Sequence, residues 1–224
     1  MTLSLAFAIA GLIAISFVAI REHKRALASR RSLLDRCAAL LSDSRIEHGG
    51  DGFPSLEGRH RGRFVRAELL PDSMTIRRLP QLWLKLTRIE PRAHLPEFSL
   101  LVRPSGMEFY SLTGAHDVRL EPPSGIAAEI ITKGNCRASQ RTLDICAPAL
   151  RRIFSDPRAK EVAVTERGLR LIWQAAEGVR GAHLIFRQCR FENAVVDPAA
   201  LSNALDQLDD LSASLNTQLE AHVA

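Results

Sequence analysis

Charge is missing from the start of this chain. Residues 2–20, TLSLAFAIAGLIAISFVAI, hold no acidic or basic side chain, and only Thr2, Ser4 and Ser16 among them are polar. Aromatic residues make up 5% of the 224 positions, too few for the stacking platforms that hold single-stranded nucleic acid. Lysine is scarce, 4 residues against 26 arginines, a bias that fits a GC-rich bacterial genome. The four cysteines, Cys37, Cys136, Cys146 and Cys189, form no CxxC pair and no metal-finger spacing. In a reducing compartment they serve as small apolar residues, whereas in an oxidising one their even number allows two bridges. No GxxxxGK[ST], GxGxxG or GxSxG is present, which removes the phosphate-loop, dinucleotide and α/β-hydrolase signatures. The seven histidines include no HExxH or other close ligand pair. His48 with Asp51 offers two metal ligands in a glycine-rich loop, but loops collect such side chains freely, and Ser111 with His116 and Asp117 is no triad by proximity alone, because a triad is recognised in space and not along the chain. No cofactor is expected.

What the sequence does contain begins with that uncharged run. As a helix it is about 28 Å long, close to the ~30 Å hydrocarbon core of a bilayer, and REHKRALASRR follows it directly. These features predict a single transmembrane helix over residues 2–20, with the lipid bilayer as its partner. A cleavable signal peptide would want basic residues before the run and a small-residue site after it. A buried core helix would be shorter and one-sided. Residues 21–45 hold seven basic and three acidic side chains, so the positive-inside rule places the following domain in the cytoplasm, at a bacterial inner membrane. Arg21, Lys24, Arg25, Arg30 and Arg31 then face anionic headgroups. This segment accounts for most of the net charge of +5, and no nucleic-acid partner is expected. Ala6, Ala10 and Ala14 recur at four-residue steps, a spacing that suits a homodimer paired through this helix and equally arises by chance among many alanines.

Four regions follow from the pattern: the span at 1–20, a basic amphipathic helix in 21–47, an α+β globular domain at 48–196 and a helix at 197–224. In the second region Leu27, Leu34 and Leu41 repeat every seven residues, with Leu33, Cys37 and Leu40 beside them. HGGDGFP at 48–54 is a loop by its glycines and proline. A hairpin over 54–72 puts Val65, Ala67 and Leu69 on one face. Residues 81–89 alternate Leu82, Leu84 and Leu86 against Trp83, Lys85 and Thr87. Phe98, Leu100 and Val102 mark another strand, with a return arm at 107–111 and shorter strands at 117–120 and 127–132. Leu143, Cys146, Ala147, Leu150 and Ile153 give a helical stripe, 160–173 a hairpin turning at Gly168, and 182–191 a further strand. Asp197-Pro198 is a cap followed by proline at the first helical position. Leu201, Leu205, Leu208, Leu211, Leu215 and Leu219 then line one side of the last helix. The predicted fold is α+β: an N-terminal transmembrane helix, an antiparallel sheet with helices packed on one face, and a long C-terminal amphipathic helix. Helix, hairpin and strand occur in that order twice, from about residue 25 and about residue 139, a weak internal repeat without residue identity.

Asp206, Asp209, Asp210 and Glu220 make the last helix acidic, which predicts packing beside the basic helix at 21–45, with leucines holding the contact and charge setting its register. The densest basic cluster elsewhere is Arg59, His60, Arg61, Arg63 and Arg66, a candidate ligand or partner patch, or a solvated hairpin face balanced by Glu57 and Glu68. Taken together, the pattern points to an interaction or scaffold module at the inner membrane with a protein partner. A domain for lipid or another apolar small ligand is the alternative, and an enzyme whose site no motif reveals is the third.

Overall fold

In the computed structural model, which describes residues 2–73, 79–181, 189–191 and 194–223, a long helix α1 (Thr2–Arg31) leads through a 3-10 turn (Asp35–Leu40) into a mostly β chain. The strands are β1 (Ser42–His48), β2 (Pro54–His60), β3 (Arg63–Asp72), β4 (Gln81–Ile89), β5 (Phe98–Val102), β6 (Val118–Arg119) and β7 (Ile130–Gly134). Helix α2 (Ser139–Phe154) follows, then β8 (Ala159–Thr165), β9 (Gly168–Glu177) and helix α3 (Pro198–Val223). All nine strands join one antiparallel sheet in the order β1-β2-β3-β4-β9-β8-β5-β7-β6.

Two turns fix the register around which the polar clusters are built. Between β2 and β3 the central residues Arg61 and Gly62 both have positive φ, 47° and 80°, the two-residue geometry whose twist matches that of paired strands. The β8–β9 hairpin turns at Gly168, φ 144°. A Cβ there would lie 2.0 Å from the Arg88 carbonyl oxygen, so only hydrogen fits where β9 meets β4.

Alternation along each strand sorts the side chains between two faces. One face carries Leu56, Val65, Ala67, Leu82, Leu84, Leu86, Leu100, Val162, Val164, Leu169 and Leu171, all buried under α2 and α3 in a single core. Helix α3 starts where Asp197 Oδ1 accepts from the Ala199 amide at 3.3 Å, and its Leu201, Leu205, Leu208, Leu211 and Leu215 point inward. The Val196 amide donates to the Leu33 carbonyl at 3.1 Å, and the Cys37 thiol lies 3.4 Å from the Val196 carbonyl, joining the lead-in of α3 to the 3-10 turn. Burial pushes the Cys37 thiol up to about 11 and the Cys146 thiol up to about 12, so both stay protonated packing residues at neutral pH. The second face carries a smaller cluster, Trp83, Ile172 and Tyr110, the last supplied by the loop at 103–117 that crosses it.

Several expectations are corrected. Among the described residues no helix is long and apolar enough to cross a membrane, so the transmembrane helix over 2–20 is not supported. The uncharged residues of α1 continue without a break into the charged turns at 21–31 of the same helix. The single-pass inner-membrane placement and the cytoplasmic assignment drawn from that span lose their basis with it. The helix expected to continue to about residue 42 stops at Arg31, and the chain is already in β1 from Ser42. Leu33, Leu34, Cys37 and Leu41 are buried, yet they reach the core from the turn at 32–34, the 3-10 helix and the residue that follows it. The return arm at 107–111 is loop, and the strand expected over 182–191 lies mostly outside the described residues, of which 189–191 are not strand.

Candidate functional site

The basic cluster nominated from sequence is divided by the fold. Arg61, at the β2–β3 apex, reaches α3, its Nη1 2.6 Å from Asp209 Oδ2 and its Nη2 2.8 Å from Asp206 Oδ1. His60 Nδ1 lies 3.5 Å from the same Asp209 oxygen, and Arg63 lies 3.6 Å from Glu90. Arg66 pairs instead with Glu57, and Arg59 donates to the Gly62 carbonyl at 3.2 Å. From β4, Arg88 also pairs with Asp209, and its Nε is 3.0 Å from Glu90 Oε2. Arg92 completes the junction: its Nη2 is 3.0 Å from Glu90 Oε1 and donates to Ser212 Oγ at 2.8 Å and Asn216 Oδ1 at 3.0 Å. Ser212 Oγ donates in turn to Glu90 Oε2 at 2.9 Å. Burial lowers the Arg92 guanidinium pKa from its ordinary value.

This arrangement replaces the pairing expected for the acidic helix. Asp206 and Asp209 meet the β2–β3 apex and β4 rather than residues 21–45, and Asp210 pairs with Arg152 of α2. His60, Asp206 and Asp209 each offer a ligand atom within 4.8 Å of the others. Two guanidiniums already occupy those carboxylates, so a divalent cation would have to displace both; the set fits an ion-pair junction better than a metal centre.

The second face holds ionic groups that no motif announced. Lys160 Nζ lies 2.9 Å from Glu108 Oε1 and donates to the Arg103 carbonyl at 2.5 Å. Burial alone would raise the Glu108 carboxyl, but hydrogen bonds from Ser105 Oγ, Lys160 and the Ser105 amide outweigh it and hold it down at about 2. Glu161, fully buried, accepts from Ser111 Oγ at 2.9 Å, the Leu112 amide at 2.8 Å and Arg170 Nη2 at 2.9 Å. These pairs fasten the loop at 103–117 across β8 and β9. A cleft of about 230 Å³ beside them is lined by Trp83, Tyr110, Glu108 and Arg103, and burial, ahead of nearby carboxylates, raises the Tyr110 phenol. The sequence signal was Lys160-Glu161 inside an otherwise apolar strand, which solvent exposure explains as readily as pairing does.

The other nominated group lies along the second half of α1. Arg25 pairs with Glu22 at 2.9 Å, and Arg21, Lys24 and Arg31 are exposed. Arg30 folds back onto the body, donating to the Asp51 carbonyl at 3.2 Å and the Cys189 carbonyl at 3.3 Å, with its guanidinium 5.1 Å from the centre of the Phe53 ring. N-terminal to this attachment, Phe7, Ile9, Leu12, Ile13, Ile15, Phe17, Val18 and Ile20 are each 51–71% exposed. No family model, curated protein or solved structure matches this chain.

Proposed function

We propose that the protein is an interaction module whose folded body presents α1 as an apolar arm to a protein partner. The observation that supports this is the uncovered arm: eight large apolar side chains more than half exposed on one helix. Soluble monomers rarely leave so continuous an apolar patch in water, and such patches mark interaction surfaces. The arm is apolar on every side, which suits a groove or a set of helices that surrounds it rather than one flat contact. Arg30, Leu33 and the Phe53 loop hold its base to the body, so a load on the arm reaches the sheet.

A photo-crosslinking residue placed at Leu12, with the same residue at the exposed Arg45 as control, tests this reading in the full chain. It predicts a discrete protein adduct from position 12 that Ile15→Glu reduces at least tenfold and that the control lacks. Adducts at multiples of the chain's own mass identify the partner as a second copy; another mass identifies a different protein. Label found only in non-protein material, or equally from both positions, contradicts the proposal.

A further inference from the structure

At the base of the arm lies a cleft of about 460 Å³ between the last turns of α1 and residues 189–191. That volume falls within the range of small-molecule sites. Among the described residues its charge is unbalanced: Arg25, Arg30 and Arg190 line it with one carboxylate, Glu22, which is shared at 2.9 Å with Arg25 and 3.8 Å with Arg190. Among the described residues no carboxylate is within ion-pair distance of Arg30. Its guanidinium is held by two carbonyls and the Phe53 face, so it is positioned without being neutralised. The walls are apolar: Leu33 and Phe53 are buried, and Phe191 meets Phe53 edge-on, with ring centres 6.1 Å apart.

We propose that this cleft binds an amphiphile with an anionic head, the head on Arg30 with Arg25 and Arg190 at the rim and the chain along Phe53, Leu33 and Phe191. A planar guanidinium with free N–H groups suits a phosphate or carboxylate head. Apolar walls immediately beside it accept a hydrocarbon tail. A metal ion or an ammonium head would meet the net positive charge of the described lining residues. The cleft is separate from the exposed arm at residues 7–20, so this assignment and the protein-partner reading stand or fall independently.

Isothermal titration of the full chain with octyl phosphate below its micelle concentration tests the assignment, with inorganic phosphate and octanol as comparison probes. One octyl phosphate per chain is expected, bound at least tenfold more tightly than either comparison probe. Arg30→Gln should weaken it at least tenfold, and Arg190→Gln, at an exposed rim position, about threefold. Equal binding of inorganic phosphate would reveal a free-anion site and overturn the amphiphile assignment; equal binding of octanol would overturn the role of the arginines. Binding that survives both arginine variants but is lost in Leu12→Ser/Ile15→Ser would show the probe coating the arm, and would also overturn it.

Discussion

The chain has two long apolar-rich helices, near its two ends, and they meet opposite fates. In α3 the leucines fall at three- and four-residue steps with Asp, Asn and Ser between them, so one face is apolar and the other carries charge. That face closes the core: Leu201, Leu205, Leu208, Leu211 and Leu215 are at most 2% exposed. The described part of α1 before Arg21 has no polar face to turn outward. A single contact with the body could cover only part of such a rod, and in this structure the body covers almost none of it. Periodicity, more than apolar content, decides which helix a domain can keep for itself.

If this contrast is right, truncating buried leucines and exposed ones should give very different costs. Leu211→Ala should destabilise the fold by about 3–4 kcal/mol, in the range for a fully buried leucine, whereas Leu12→Ala should change it by less than about 0.5 kcal/mol. Urea unfolding followed through the fluorescence of Trp83 and Trp173, both in the sheet, measures both. A smaller effect is expected at the junction. Asp209→Asn leaves Arg88, which is 7% exposed, with Glu90 as its remaining carboxylate, and should cost about 2 kcal/mol. The half-exposed Asp206, changed to Asn, should cost about 0–1 kcal/mol. Amide exchange along α3 should rise in the first variant and hardly change in the second.

The second face gives a prediction in pH. The Glu108 carboxyl titrates near 2 in the folded chain against an ordinary value of 4.5, so as pH falls the unfolded chain takes up this proton first. The contribution to stability is complete above about 4.5 and is lost on descending to about 2. Glu108→Gln should lower stability at neutral pH and flatten the fall between those limits, read as the urea midpoint at a series of pH values. The smallest effect belongs to Arg152→Ala. Its pair with Asp210 lies on the surface, both side chains more than half exposed, and its loss should cost under 1 kcal/mol.

Parts of this fold were legible because local pattern and final environment agree. Leucine alternation over 81–89 is the β4 ladder against β3 and β9, the hairpin over 54–72 is β2 with β3, and Asp197-Pro198 starts α3. Where one pattern serves two structures, reading failed. Leu33, Leu34, Cys37 and Leu41 have helical spacing, but they fill the core from a turn and a short 3-10 helix because residues 42–48 pair with β2. The loop at 103–117 has no period to read, and its anchors, Glu161 and Lys160, look like solvent-facing charges until their partners about 50 residues away are placed beside them. The Arg61–Asp209 contact joins positions 148 apart, a distance no spacing rule spans. The aromatic and arginine groups of the cleft at the arm's base are likewise scattered along the chain, from Glu22 to Phe191.

The arm belongs to contacts outside the folded body. Replacing Leu12, Ile15 and Phe17 together by serine and measuring urea unfolding by tryptophan fluorescence tests it most directly. A midpoint and slope close to those of the unaltered chain are expected, a change of about 1 kcal/mol or less for three exposed positions, together with loss of the position-12 crosslink. A loss of several kcal/mol, comparable to that of Leu211→Ala, would show the arm folded into the core and would contradict it.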